Sequence, residues 1–307
     1  MSYKIGSFNC LNFSRSSSKD VQVFADMILN ERFDIIALQE IKGQTALDRI
    51  LRMLPPYWKG IADDEVTDYA FIWNSMRMEL AHTEVIDDLQ GKHTRTYSPR
   101  IYKQYKIDRK NGQTDLKREP FFARFFPCGA APFIEIRLIN THIRFTKEND
   151  SEIELPGAIA MRKNELDILA KAIYAKEADK RYGNNRPAYT ILLGDYNLNL
   201  PSSAASSPYL AESYEIFDGN NSKIITTFQH ELTTLSRPPE KEDDNELKKQ
   251  IFANNYDHFT YDVSRFSGLV LSCGRVNTVE DYCNGNCQKH REEVSDHVPI
   301  KMNMDLK

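Results

Sequence analysis

Six short segments of the sequence end in side chains that could perform chemistry on an anion. Each segment begins with apolar residues and continues into a carboxylate, an amide or an imidazole, as in "ILLGDYNLNL" at 191–200. An unpaired carboxylate is costly in a core, so such groups belong at the rim of a sheet, where strand ends hold them rigidly. The residues concerned are Asn9, Glu40, His142, Asp195, Asn197, Asp257, Asp296 and His297.

Side chains of these types can bind a metal ion, bind phosphate or move a proton. Each alone has a simpler explanation, because Asp and Asn commonly cap turns, and a histidine in an apolar strand is commonly a core residue. Their joint occurrence at six strand ends favours an active site. We expect His258, next to Asp257, to be structural.

Apolar runs predict the strands that must position these groups. Continuous apolar stretches, joined by helices in some places and hairpins in others, predict a mixed α/β protein with stacked sheets. The predicted strands are residues 3–9, 35–40, 69–74, 133–142, 190–197, 258–262 and 298–304.

Apolar spacing also predicts two helices, over residues 20–30 and 156–181, and places Gly183 where a C-cap glycine belongs. Segments 91–118 and 231–255 look irregular. Because the polar strand ends fall on both sides of each irregular segment, we expect one domain spanning residues 1–307.

The charge of the chain is uneven. The net charge is −4, yet residues 92–124 contain ten Lys or Arg against three acidic residues. Such a stretch can be a solvated loop or a surface that faces a polyanion, and these two interpretations have equal weight.

The five cysteines do not indicate a disulfide framework, because their number is odd. Cys273, Cys283 and Cys287 precede His290, but their spacing is loose and we do not expect a structural zinc site there. No apolar stretch is long enough for a membrane span, and no signal peptide is evident. The sequence therefore predicts a cytoplasmic protein without a membrane partner.

Taken together, the motifs resemble those of the endonuclease/exonuclease/phosphatase superfamily, and within it the DNase I-like nucleases. "FNCLNF", "IIALQEIKG", "INTHIRF", "LLGDYNLN", "NNYDHF" and "SDHVPI" occur in the family's order over residues 9–300. A seventh segment, "KREPFFARF", resembles one in which the arginine, Arg118 here, contacts the nucleic-acid backbone. The resemblance implies an α/β fold, a four-layer α/β/β/α sandwich of two packed mixed or antiparallel sheets flanked by helices.

The resemblance implies a hard divalent cation, Mg²⁺ or Mn²⁺, held by Glu40 and Asp296, with Asn9 acting through water. Arg118 and Lys42 would bind substrate.

The remaining residues would carry out catalysis. Asp257 would orient His297, His142 would act as general acid or phosphate ligand, and Asn197 would hold the phosphate. Asp195 and His297 both remain candidates for the base that activates water.

One position departs from the family pattern. DNase I-like enzymes carry a glutamate two residues before the tyrosine that is Tyr69 here, and it pairs with the first histidine. Position 67 is Thr67, so either a neighbour, Glu65 or Asp68, replaces that glutamate or His142 lacks its carboxylate partner.

The leading hypothesis is a Mg²⁺-dependent DNA endonuclease with little sequence preference. Alternatives on the same fold are an RNase, a phospholipid or phosphoinositide phosphodiesterase, or a phosphatase. A third possibility is a binding module without activity, which only the Thr67 departure supports.

Overall fold

The computed structural model of the chain describes residues 2–63, 68–86, 118–129, 133–145, 162, 165–183, 186–200, 215–217, 223–226, 231–236 and 251–306. Thirteen strands run through these residues: β1 Ser2–Phe13, β2 Ile35–Ile41, β3 Trp58–Ala62, β4 Tyr69–Asn74, β5 Met78–Val85, β6 Phe121–Pro127, β7 Glu135–His142, β8 Ala188–Asp195, β9 Glu215–Phe217, β10 Lys223–Thr226, β11 Asp257–Asp262, β12 Leu269–Arg275 and β13 Ile300–Leu306. The helices are α1 Val21–Glu31, α2 Gln44–Leu51, α3 Ala175–Asp179, α4 Thr278–Cys283 and α5 Cys287–Glu293. A π-helical turn, Leu169–Tyr174, leads into α3, and a 3₁₀ turn, Val263–Phe266, follows β11.

The strands form two mixed sheets. The first has the order β12-β13-β1-β2-β4-β3 and the second β5-β6-β7-β8-β11-β10-β9. Each sheet contains one parallel pair, β1–β2 in the first and β7–β8 in the second. The other pairs in both sheets are antiparallel.

Three apolar layers separate the sheets and helices. Residues from the inner faces of both sheets, including Ile5, Phe71 and Leu193, form a common core. Helices α1 and α2 pack on the outer face of the first sheet through buried residues such as Phe24 and Leu47. Ile173 and its neighbours in the π-helical turn cover the second sheet. The four-layer α/β/β/α sandwich is confirmed, and burial on both faces explains why the strands are almost continuously apolar.

The first predicted helix is confirmed within a residue or so of each end. The Asp20 side chain caps α1 by accepting a hydrogen bond from the Gln22 N–H at 3.0 Å. Arg32 ends the helix in the left-handed conformation, with φ of 55°. Phe24, Ala25 and Ile28 lie on its buried face.

The second predicted helix, 156–181, is helical at residue 162 and continuously over 165–179, and its other residues before 165 lie outside the described ones. Its predicted C-cap is wrong, because the helix ends at Asp179 and Lys180 already has extended backbone. Gly183 has a positive φ of 73° but lies beyond this end.

The strands predicted from apolar runs do not include β3, β5, β6, β12 or the two short strands β9 and β10. Of the segments predicted to be irregular, 91–117 and 237–250 lie outside the described residues. The described part of the second segment carries isolated bridges, Thr234 to His297 and Leu235 to Phe252. In the described part of the chain, no helix is both long and apolar enough to cross a membrane.

Candidate active site

The register of three neighbouring strands brings polar residues into line at one end of the second sheet. His142, the last residue of β7, lies opposite Asp195, the last residue of the parallel strand β8. Asp195 in turn lies opposite Asp257, the first residue of the antiparallel strand β11. Residues far apart in the sequence are thus adjacent because strand pairing aligns them.

The first sheet contributes its own strand ends to the same place. Asn9 on β1 donates from Nδ2 to Asp195 Oδ2 at 2.9 Å, which links the two sheets directly. Glu40 on β2 accepts a hydrogen bond at Oε2 from the Asn12 N–H at 2.7 Å. Its Oε1 lies 3.5 Å from Asn9 Nδ2 and 3.7 Å from His142 Nδ1.

Two imidazole rings converge on one carboxylate oxygen. His142 Nε2 lies 3.4 Å, and His297 Nε2 3.6 Å, from Asp195 Oδ2. The other ring nitrogen of His297 is 2.8 Å from Asp257 Oδ2, so Asp257 fixes the orientation of the ring. Asn197 steadies Asp195, since its backbone N–H donates to Asp195 Oδ1 at 2.8 Å.

These groups open onto a cavity of about 490 Å³. Asp257 is fully buried and reaches the cavity only through His297. Seven of the predicted site residues line it: Asn9, Glu40, His142, Asp195, Asn197, Asp296 and His297.

Backbone strain is concentrated around this cavity. The described chain has seven non-glycine residues at positive φ, and two of them are helix C-caps, Arg32 and Asn284. The conformation costs most non-glycine residues about 1–2 kcal/mol, Asn and Asp adopt it more readily, and such strain clusters at functional sites. The other five lie on or beside the ends of β1, β2, β4 and β8: Leu11, Asn12, Glu40, Asp68 and Asn197.

Gly194 allows the close approach of β7 and β8 just before Asp195. Its φ is 140°, and a Cβ atom at this position would lie 1.8 Å from the carbonyl oxygen of Thr141. Because that neighbour is backbone, no side-chain movement could relieve the clash. The glycine is therefore a condition for the placement of Asp195 opposite His142.

Burial and charge shift the proton affinities of the site. Burial raises the pKa of Asp195, and the charge of Asp257 raises it further, against the opposing effect of His297. Burial alone would lower the pKa of His297, but Asp257 and Asp195 outweigh it and hold that pKa well above its usual value.

His142 behaves in the opposite way. Burial, followed by the positive charge of Arg118 and of His297, lowers the pKa of His142 well below its usual value. The Arg118 guanidinium lies against His142 Nδ1. The two histidines therefore differ in charge at neutral pH, His142 being neutral and His297 protonated.

The sequence matches no protein-family model and no curated protein. Solved structures do match it, over nearly the whole chain. An endonuclease/exonuclease/phosphatase family protein from Bacteroides thetaiotaomicron is 14% identical, with a TM-score of 0.54 over 99% of this chain and 95% of that one. The chain has the endonuclease/exonuclease/phosphatase fold.

Two further structures with the endonuclease/exonuclease/phosphatase fold are similar to the chain. D. rerio TDP2, solved with a single-strand DNA product, is 11% identical with a TM-score of 0.56 over 99% of both chains. A mannosyl-6-phosphatase from B. thetaiotaomicron is 12% identical with a TM-score of 0.53, over 98% of this chain and 99% of that one. The resemblance inferred from the motifs is thus confirmed at the level of the fold.

Within this fold, the predicted metal ligands have the donor chemistry for a hard cation. Asp296 lines the cavity, and its Oδ1 is buried without a hydrogen-bond partner among the described residues. Its Oδ2 lies 3.7 Å from Arg291 Nη1. Such an oxygen is costly unless something binds it, and Glu40 adds a second carboxylate to the same cavity. Asp195, Asp257 and His297 also offer ligand atoms within 4.8 Å of one another.

The replacement partner of His142 is not Asp68. Asp68 forms an ion pair with Lys42, while Thr67 and Glu65 lie outside the described residues. Glu40 approaches His142 Nδ1 at 3.7 Å, and Arg118 contacts that same nitrogen. Lys42 does not line the cavity.

The basic stretch 92–124 includes one arginine that cannot face a polyanion. Arg124 on β6 is buried and donates to Glu135 Oε1 at 2.6 Å. Residues 92–117 lie outside the described ones. Arg118 is the basic residue of the described part of this stretch that adjoins the site.

Two other histidines are structural. His258 is buried, and its Nε2 lies 2.9 Å from the carbonyl oxygens of both Leu198 and Asn255. His290 is buried, with one ring nitrogen 2.7 Å from Thr278 Oγ1 and the other 2.7 Å from the Ser295 carbonyl oxygen. Since both of its nitrogens are engaged, His290 is not available to a zinc ion, in agreement with the loose spacing of the cysteines.

Sequence reasoning missed several residues that complete the cavity wall. A signal was present for two of them, since Phe145 follows His142 by three residues and Tyr256 directly precedes Asp257. Leu11 and Asn254 also lie inside the motifs "FNCLNF" and "NNYDHF". The other four belong to no motif and are brought in by the tertiary structure. The missed residues are Leu11, Phe145, Thr234, Leu235, Ala253, Asn254, Tyr256 and Arg291.

Proposed function

We propose that the chain is a metal-dependent phosphoesterase that hydrolyses phosphodiester bonds in DNA with little sequence preference. One observation carries this proposal: two imidazoles and a carboxylate converge within 3.6 Å in a cavity that Glu40 and Asp296 also line. The arrangement combines proton transfer, anion binding and cation binding in one place, as phosphoester hydrolysis requires.

Glu40 and Asp296 are the proposed ligands of Mg²⁺ or Mn²⁺, with Asn9 nearby. Bound there, the cation would supply charge neutralisation on a phosphoryl oxygen or on the leaving oxygen. Arg118, which lies against His142, is the proposed contact to the phosphate backbone.

Asp195 is the proposed base that accepts a proton from the attacking water. It faces His142 and His297, and its raised pKa makes it a stronger proton acceptor than an exposed aspartate. His297, oriented by Asp257, would place a positive charge against a phosphate oxygen. Neutral His142 would bind a phosphate oxygen through Nε2–H, and Asn197 would hold the phosphate from the side.

The structural neighbours support phosphoester chemistry and differ in substrate. D. rerio TDP2 was solved with a single-strand DNA product, which favours DNA as the substrate class. The mannosyl-6-phosphatase favours a second candidate, a phosphatase acting on phosphomonoesters.

The test is incubation of the pure protein with supercoiled plasmid and Mg²⁺ or Mn²⁺. We expect nicking by the wild type that falls steeply with salt, because phosphate contacts dominate DNA binding. Asp195→Asn should remove the activity, while Asp305→Asn, an exposed control on β13, should not.

RNA, a phosphoinositide, a sphingolipid and mannose 6-phosphate are tested in parallel. Turnover of one of these without any nicking of DNA would replace DNA by that substrate class. No turnover of any of them with either metal would contradict the proposed enzyme and favour a binding module.

A further inference from the structure

Two aromatic side chains line the cavity beside its charged groups. Phe145 and Tyr256 are both half-buried, with ring centroids 6.4 Å apart and ring planes inclined by 39°. A site for a metal ion and a phosphate alone would not need such rings, because a ring face offers no oxygen ligand to a hard cation and no hydrogen bond to a phosphate. The pair indicates a ligand that also carries a flat, apolar part.

Hydrogen bonds fix the backbone next to Phe145 to two of the proposed catalytic residues. The backbone between His142 and Phe145 is fixed at Ile143, whose N–H donates to the Asp195 carbonyl oxygen at 2.9 Å. The Ile143 carbonyl oxygen accepts from Asn197 Nδ2 at 2.8 Å. The buried Arg162 places its guanidinium 4.8 Å from the centroid of the Phe145 ring.

Hydrogen bonds also fix the backbone of Tyr256. Tyr256 directly precedes Asp257, and its carbonyl oxygen accepts from the Tyr196 N–H at 2.8 Å. Its own N–H donates to Thr233 Oγ1 at 3.1 Å. Burial raises the pKa of the Tyr256 hydroxyl, so the ring stays neutral at physiological pH. The backbone that carries each ring is therefore fixed next to Asp195.

The polar groups beside the rings are already engaged with one another. Asn254 Nδ2 donates to Thr234 Oγ1 at 3.2 Å, and Asn199 Nδ2 donates to Asn254 Oδ1 at 3.0 Å. Hydrogen-bond recognition of a sugar at this wall would have to break these contacts. A long acyl chain would find too little apolar surface, because polar and charged residues make up most of the rest of the cavity lining.

We propose that Phe145 and Tyr256 form a subsite for the nucleobase of a nucleotide whose phosphate lies at Asp195 and His297. This rests on the proposed function in that the ligand is a phosphoester. Stacking on an aromatic side chain strengthens nucleic-acid binding by roughly 5- to 150-fold per base and accepts every base, which suits an enzyme with little sequence preference.

The experiment compares the affinity of the protein for thymidine 5′-monophosphate and for deoxyribose 5-phosphate, by calorimetry with Mg²⁺ present. The wild type should prefer the nucleotide by about tenfold or more, equivalent to about 1.4 kcal/mol. The double variant Phe145→Leu/Tyr256→Leu should bring the ratio close to one and leave deoxyribose 5-phosphate binding unchanged.

Matched variants separate stacking from folding. Phe133→Leu alters an exposed ring outside the cavity, beside Arg186, and should keep the wild-type ratio. The single variants Phe145→Leu and Tyr256→Leu should give intermediate ratios, and thermal unfolding checks that each is folded. If the double variant does not fold, the single variants decide the question.

Each outcome bears on the proposal. Equal wild-type affinities, no binding of either compound at millimolar concentration, or a preference that survives the substitutions would overturn it. So would tighter binding of a short-chain lysophosphatidate than of the nucleotide, which would indicate an acyl subsite.

The two proposals fail separately. A nucleotide preference that depends on the rings, in a protein that hydrolyses no phosphoester, would support the subsite and refute the enzyme. DNA hydrolysis without any nucleotide preference would refute the subsite alone.

Discussion

Buried charges occur at both ends of the parallel pair β7–β8, and the two ends differ in how those charges are stabilised. At the starting end, Glu135 is fully buried and its Oε1 accepts from Arg124 at 2.6 Å and from Arg137 at 2.8 Å. At the other end, Asp195 lies between two imidazoles with a second carboxylate, Asp257, close by.

The pKa shifts of the two carboxylates have opposite signs. Burial alone would raise the pKa of Glu135, but its hydrogen bonds and proximity to Arg124 and Arg137 outweigh it and lower that pKa. Burial raises the pKa of Asp195, where its neighbours only partly compensate.

The surroundings of Glu135 also differ from those of Asp195. Tyr182 packs against the first cluster, with the Arg124 guanidinium 3.5 Å and that of Arg137 4.9 Å from its ring centroid. Three non-glycine residues that line the cavity have positive φ: Leu11, Glu40 and Asn197. The first cluster therefore stabilises the fold, whereas the second stores free energy that a substrate or cation can use.

The strongest test of this contrast is Asp195→Asn. We expect kcat/KM to fall by about 10²- to 10⁴-fold, because the proposed base is lost. Stability at pH 7 should stay equal or rise, since the folded-state pKa of Asp195 lies above its unfolded value and ionisation in the folded state is unfavourable. Urea unfolding without divalent metal measures this, and a clear loss of stability would show that Asp195 is structural.

The reverse result is expected for Glu135→Gln. Two buried guanidiniums would lose their counter-charge, which should lower the free energy of unfolding by about 3–5 kcal/mol. Specific activity of the folded fraction should be unchanged, because the site lies at the other end of the strands. Glu79→Gln on the exposed part of β5 is the matched control, and an equal effect of the two substitutions would contradict the structural role.

A third buried group, the structural His258, should make the stability of the fold depend on pH. Burial lowers its pKa to about 4, against roughly 6.5 in the unfolded chain. The unfolded state thus binds a proton first, so stability is complete above pH 6.5 and declines by roughly 3 kcal/mol as pH falls towards 4.

The measurement is urea unfolding from pH 8 to pH 4, comparing wild type with His258→Asn. The variant should be less stable at pH 8 but lose less stability on acidification. Burial also lowers the pKa of His290 to about 4. Because His290 is present in both proteins, it adds the same loss of stability on acidification to both. Parallel curves would show that His258 does not contribute.

The smallest effect concerns the cation. Asp296→Asn removes a charge at the buried Oδ1 and should weaken Mg²⁺ or Mn²⁺ binding by about 10- to 100-fold. Calorimetry on the protein without substrate measures the affinity, with Asp305→Asn as the control. Unchanged affinity would contradict Asp296 as a ligand and favour Asp195, Asp257 and His297, whose ligand atoms lie within 4.8 Å of one another.

Much of the fold was predictable because its strands are buried on both faces. Continuous apolar runs such as Ile191–Leu193 then stand out from the polar loops, and the predicted strands all exist. Among the strands absent from that set, β5 and β12 have mostly half-buried or exposed residues, and their pattern is weak. The end of the second helix was misplaced because Gly183, its predicted C-cap, lies four residues beyond the last helical residue, Asp179.

The residues that line the site were also largely predictable, whereas their partners were not. A motif shows that Asp195 follows a buried strand, but strand register decides that His142 and Asp257 flank it. No pattern indicated that Lys42 pairs with Asp68 or that Arg124 is neutralised by Glu135, because both contacts join separate segments.

By itself, the sequence determined the seven strands with clear apolar runs, the order of the polar strand ends and the kinds of group available for chemistry. These are local properties, set by apolar spacing and side-chain type. The tertiary structure alone decided which groups share the cavity, the opposite charge states of His142 and His297, and the aromatic wall of Phe145 and Tyr256. Those depend on burial and on distances of a few ångströms between segments that lie from 24 to more than one hundred residues apart, which no local pattern encodes.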